Sequence, residues 1–159
     1  MINLAHTYPS YLTQIEPDQS LEPDVATEWS ASPDAVEWTF QLNSNATFQS
    51  EPKVTATDVI ASMKHHRGED STSAAKALLA DVQEITDSGD GSISFRLGAP
   101  NADLPWLMTD YHPAICPANA DGSLNRQSAD GCGPYRLVDN EFGVSRRLVR
   151  HQDWHGEGA

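Results

Sequence analysis

Basic side chains are missing from the first third of the chain. Residues 1–52 hold no Lys or Arg, against eight acids: Glu16, Asp18, Glu22, Asp24, Glu28, Asp34, Glu37 and Glu51. Over all 159 residues, 23 acids face 10 bases, a formal charge of −13. So acidic a chain repels phosphate backbones, and no nucleic-acid partner is expected. Arg136, Arg146, Arg147 and Arg150 do not change this, because residues 126–159 carry five charges of each sign, interleaved. The acids read as a solvated surface. Long apolar runs are absent too, so no membrane-spanning helix is expected. Met1 to His6 offer neither a basic nor an apolar targeting segment, so no signal peptide is expected in these residues.

Cysteine is nearly absent. Cys116 and Cys132 lie far apart in sequence, which excludes a Cys-x-x-Cys redox motif or a zinc ribbon. They suit either a disulfide formed in an oxidising compartment or two buried thiols.

Catalytic signatures are lacking as well. There is no Gly-x-Ser-x-Gly elbow and no Walker lysine. Gly131-Cys132-Gly133-Pro134 is a tight turn without the third glycine and following helix of a dinucleotide site. Cys132 stands where an exposed nucleophile could stand, but no His–Asp partnership is assignable to it. Glu69-Asp70 sits in a polar loop that cannot split two carboxyl pKa values. His151 and His155 are four apart, without the Glu of a His-Glu-x-x-His site and with Gly156 and Gly158 following. These histidines, and the adjacent pair His65-His66, read as surface residues, and no metal, cofactor or enzymatic activity is expected.

What is present is period and punctuation. Val36, Trp38, Phe40 and Leu42 alternate with Glu37, Thr39 and Gln41, which predicts a half-buried strand. Ser32-Pro33-Asp34 and Asn43-Ser44-Asn45 bound it as turns. A helix is expected from Thr55 or Thr57 to Gly68, with Thr55 and Asp58 as a capping pair and Val59, Ile60 and Met63 as its apolar stripe. A second helix is expected from Thr72, with Ala74, Ala75, Leu78, Leu79 and Val82 on one side. Val82–Ile85 and Ile93–Leu97 predict a hairpin around a Gly-containing loop. Asp103–Met108 predicts a short helix that buries Trp106, and residues 113–117 a brief extended piece. Residues 135–138 and 144–149 predict a last hairpin. Near the start, Leu4, Tyr8, Tyr11, Leu12 and Ile15 have the spacing of a short helix interrupted near Pro9. Hairpins with helices between them give an α+β class: a mainly antiparallel sheet packed against two or three helices.

Four blocks, in order, resemble a known family. They are Leu21-Glu22-Pro23-Asp24-Val25-Ala26-Thr27-Glu28-Trp29 with Trp38-Thr39-Phe40-Gln41-Leu42, Phe48 with Val54-Thr55-Ala56-Thr57-Asp58-Val59, Gly131-Cys132-Gly133-Pro134-Tyr135-Arg136-Leu137, and Arg150 to Gly156. Together they resemble the family-5 extracytoplasmic solute-binding proteins, which serve ABC importers of peptides, nickel and related solutes. Three places depart from the family pattern. Ser50-Glu51 replaces an Asp-Gly turn, Cys132 replaces a Thr, and Trp154-His155 replaces a Tyr-Trp pair.

The resemblance implies that residues 1–159 form a single domain or subdomain, the outer part of the first lobe of a longer two-lobed protein. It implies an extracytoplasmic location, a small-molecule solute such as a peptide or nickel complex, and an ABC membrane permease as partner. It implies that the quoted blocks hold the fold, and that a half-cleft alone binds no solute. The residues expected to face solute are Tyr111 and His112, in the stretch just upstream of the glycine turn. The alternative is the solute-sensing domain of a cytoplasmic transcription regulator.

Overall fold

The computed structural model describes residues 9–68, 71–125, 130–141 and 144–156. Leu4 and Tyr8, the Glu69-Asp70 pair and Phe142-Gly143 lie outside the described residues. Strands β1 (Thr13–Ile15) and β2 (Leu21–Pro23) form a short antiparallel pair. Strands β3 (Ala26–Ala31), β4 (Glu37–Leu42), β5 (Val82–Asp87) and β6 (Ser92–Leu97) build an antiparallel sheet in the order β3-β4-β6-β5. Helix α1 (Ala56–Arg67) lies between β4 and β5 in sequence, and the four-residue α2 (Leu104–Leu107) follows β6. Strands β7 (Tyr135–Glu141) and β8 (Ser145–Arg150) close the chain as a hairpin. The class is α+β, as the sequence predicts.

The period-two pattern of β4 places its side chains as expected. Trp38, Phe40 and Leu42 are buried, Val36 packs on the same cluster, and Glu37 and Thr39 are exposed. Phe40 meets Phe95 of β6 edge-on at 5.4 Å, and Trp38 and Trp29 flank it at 6.3 Å each. The indole of Trp38 finds an acceptor in the Asn101 carbonyl at 3.0 Å, so its polar edge is buried satisfied. Val59 and Met63 of α1 join the same core, with Ile60 half-buried at its rim.

Asp58 starts α1 and ties it to a distant loop. Its Oδ2 accepts the Thr55 N–H at 2.8 Å, which satisfies a backbone donor at the helix start. Its Oδ1 accepts the Ala118 N–H at 2.7 Å. A single buried carboxylate therefore links the helix start to the segment just after Cys116.

Four expectations are corrected. Tyr11, Leu12 and Ile15 are not helical: the Tyr11 and Leu12 carbonyls accept the N–H groups of Val25 and Ala26, and Thr13–Ile15 pairs with β2. Pairing with the following strand segment, residues 21–26, overrides the helical spacing. The second helix is reduced to one 3₁₀ turn, Ala74–Lys76, started by Ser73 Oγ accepting from Ala75. Helical growth stops because the Asp81 carbonyl is taken by Gly98 at 2.7 Å and Val82 enters β5. Trp106 is 44% exposed, whereas Leu104 and Met108 are buried. Residues four apart share a helix face, and residue 106 lies across from them. Finally, His66 and His155 are buried and not surface residues.

Candidate functional site: a cavity beside Tyr111

Three segments far apart in sequence converge on a cavity of about 590 Å³. Ser10, Tyr11 and Asp24 come from the start of the chain, Asp110 and Tyr111 from the loop after α2, and Trp154 from the segment after β8. Tyr111 is 55% exposed and offers its ring to this space. His112 stacks on that ring with centroids 3.9 Å apart. Its Nδ1 lies 2.6 Å from Asp110 Oδ1, which also accepts the His112 N–H at 2.9 Å. Of the two residues expected from sequence, Tyr111 lines the cavity and His112 backs it.

The loop is held from below by β1 and α2. Thr13 Oγ1 donates to the Pro105 carbonyl at 2.6 Å, and the Tyr11 hydroxyl donates to the Tyr111 carbonyl at 3.5 Å. Asp24, at the floor, accepts the Tyr11 N–H on Oδ2 at 2.8 Å and meets His155 Nε2 on Oδ1 at 3.0 Å. Among the described residues, Trp154 Nε1 and His155 Nδ1 are buried without a hydrogen-bond partner.

Among the described residues, the charged groups lining the cavity are two carboxylates, Asp24 and Asp110, with no Lys or Arg. Aromatic faces beside carboxylates suit a solute that presents a flat apolar group with an amine or N–H donor. Among the described residues, no three His, Cys, Asp or Glu side chains converge as metal ligands.

Cys132 is not an exposed nucleophile. It is fully buried, and burial pushes its thiol well above the ordinary range, with Asp24 adding to the effect. A protonated, inaccessible thiol is a poor nucleophile. Sequence reasoning missed Asp24, Trp154 and Tyr11 as cavity residues. Asp24 and Trp154 sit in blocks read as scaffold and Tyr11 in a stretch read as a short helix, and only the tertiary fold brings the three together.

The sequence model of the bacterial extracellular solute-binding proteins, family 5 middle region, matches residues 20–159. The chain is 30% identical to the probable D,D-dipeptide-binding periplasmic protein DdpA of Escherichia coli, over 94% of this chain and 32% of the relative. It is 28% identical to the HTH-type transcriptional regulator SgrR of Pectobacterium atrosepticum, over 87% of this chain and 24% of the relative. It therefore spans about a third or less of the length of these relatives. In fold it is similar to the periplasmic binding protein AgaA of A. tumefacien R10, solved with agropinic acid. The TM-score is 0.88 at 24% identity, over 98% of this chain and 32% of the other. The chain belongs to family 5 of the bacterial extracellular solute-binding proteins.

Proposed function

We propose that this chain is part of the substrate-binding component of an ABC importer, and that the cavity beside Tyr111 is one wall of its solute site. The observation that carries the reading is the convergence, in a solute-binding family member, of Tyr11, Tyr111 and Trp154 with Asp24 and Asp110 around one cavity. The solute is peptide-like or a related small molecule with an amine, for which the two carboxylates are complementary. Residues 1–159 are a single domain or subdomain of a longer two-lobed protein. The second lobe completes the site, because a small ligand needs most of its surface enclosed. The complete protein works outside the cytoplasm and delivers solute to an ABC membrane permease. Tyr111 contacts solute directly, and His112 fixes the angle of its ring.

Native mass spectrometry of the intact protein purified from its host tests this. The expected result is a small co-purified molecule, lost on denaturation, that carries an amine. An intact protein that instead has a helix-turn-helix segment and binds duplex DNA would support a second reading, the solute-sensing domain of a regulator. The similarity to SgrR favours that reading.

A further inference from the structure

Ser10 clamps the two cysteine-bearing segments against each other. Its carbonyl accepts the Ile115 N–H at 2.9 Å, and its hydroxyl donates to the Cys132 carbonyl at 3.2 Å. The Cys132 Sγ lies 3.9 Å from the Ile115 carbonyl oxygen. That oxygen belongs to the peptide unit joining Ile115 to Cys116, so the Cys132 sulfur is within about 7 Å of the Cys116 Cα. Cys116 is held in turn by Ser62, whose Oγ accepts its N–H at 3.0 Å. Both side chains are thiols in this structure. Closing a disulfide between them requires the Gly131-Cys132-Gly133 turn to bring the two Cα atoms to the roughly 4.4–6.8 Å that such a bond spans.

We propose that Cys116 and Cys132 form an intrachain disulfide when the chain folds in the presence of a small-molecule disulfide oxidant such as glutathione disulfide. Cys116 attacks one glutathione sulfur as its thiolate and releases one glutathione thiolate. Cys132 then attacks the Cys116 sulfur of the mixed disulfide, and the second glutathione leaves. One S–S bond breaks and one forms. The two protein thiol protons end on two glutathione thiols, and the chain loses two hydrogens. Burial, with a smaller effect of Asp130, pushes the Cys116 thiol up to about 11. Burial, then Asp24 and Cys116, pushes Cys132 up as well. Closure therefore belongs to the folding chain, before burial suppresses both thiolates. The bond would tie the loop leaving Tyr111 to the turn carrying Pro134, and both Tyr111 and Pro134 line the cavity.

The proposal is independent of the solute reading and is tested on the chain itself. The denatured, reduced chain is refolded with and without glutathione disulfide. The fraction with native near-ultraviolet circular dichroism is then denatured, alkylated and weighed. The expected result with oxidant is a chain two hydrogens lighter that takes up no alkyl group and gives a linked Cys116–Cys132 peptide on digestion. Its melting temperature should lie roughly 10 °C above that of the reduced chain, as expected for a loop of this length. Cys116→Ser and Cys132→Ser should each abolish the mass loss. A natively folded chain that keeps two alkylatable thiols, carries a glutathione adduct on one cysteine, or links into dimers overturns the proposal.

Discussion

Asp24 and His155 lie 131 positions apart and meet at 3.0 Å, with side chains only 5% and 2% exposed. This contact fastens the last described segment of the chain to the turn between β2 and β3, directly under the cavity. Replacing His155 by Ala leaves the Asp24 Oδ1 buried without its partner, while Oδ2 keeps the Tyr11 N–H. A buried acceptor deprived of its partner costs about 1–3 kcal/mol. His155→Ala should lower the unfolding free energy in urea by about 2 kcal/mol. A loss below about 0.5 kcal/mol would mean the contact does not hold the segment.

Trp38 fixes the apolar face of β4. It is 8% exposed and packs against Phe40. Trp38→Ala should cost about 3–5 kcal/mol, measured by the shift in urea midpoint at constant slope. An effect near that of an ordinary surface change would show that the sheet core lies elsewhere.

Glu51 has a backbone φ of +89° and stands where the family pattern has glycine. A side chain pays a steric penalty of about 1–2 kcal/mol there, partly offset by the greater unfolded-state freedom of glycine. Glu51→Gly should therefore raise stability by about 0.5 kcal/mol, although a change to glycine is destabilising at most sites. Thermal unfolding decides it, and a lower melting temperature for the variant would contradict the account.

His66 makes stability depend on pH. Burial first, then the nearby His65 and His112, lower its pKa to about 4, from about 6.5 in the unfolded chain. His66 Nδ1 lies 2.6 Å from Ser73 Oγ, which also accepts the Ala75 N–H. Because the folded pKa is the lower one, the unfolded chain binds more protons between pH 4 and 6.5. This contribution is therefore complete above pH 6.5 and is lost as pH falls toward 4. Urea titrations across that window should show a slope that His66→Gln reduces. An unchanged slope would place the titrating group elsewhere.

Local pattern carried most of the fold. The alternation at Val36–Leu42, the Thr55–Asp58 pair and the Gly-containing turn between β5 and β6 each act within a few residues, and each appears where expected. The misses share one cause. Residues 11–15 have helical spacing but enter a short antiparallel pairing with residues 21–26. Residues 77–81 form successive turns whose Asp81 carbonyl accepts the Gly98 N–H before β5 begins, so backbone pairing outside each apolar stripe decides both. The cavity was half legible for the same reason. Tyr111 is expected from the family resemblance of its stretch upstream of the glycine turn, whereas Asp24 is recognisable as a cavity residue only once His155 and Tyr11 are seen to reach it.

The wall reading is tested most directly by calorimetry on the intact protein that carries this chain, once its solute is identified. Tyr111→Ala with His112→Ala should weaken binding at least tenfold, about 1.4 kcal/mol, with the melting temperature nearly unchanged. The isolated 159-residue chain should give no saturable heat with the same solute. Full affinity in the double variant, or micromolar binding by the isolated chain, would contradict the assignment of the cavity beside Tyr111 as one wall of a two-lobed solute site.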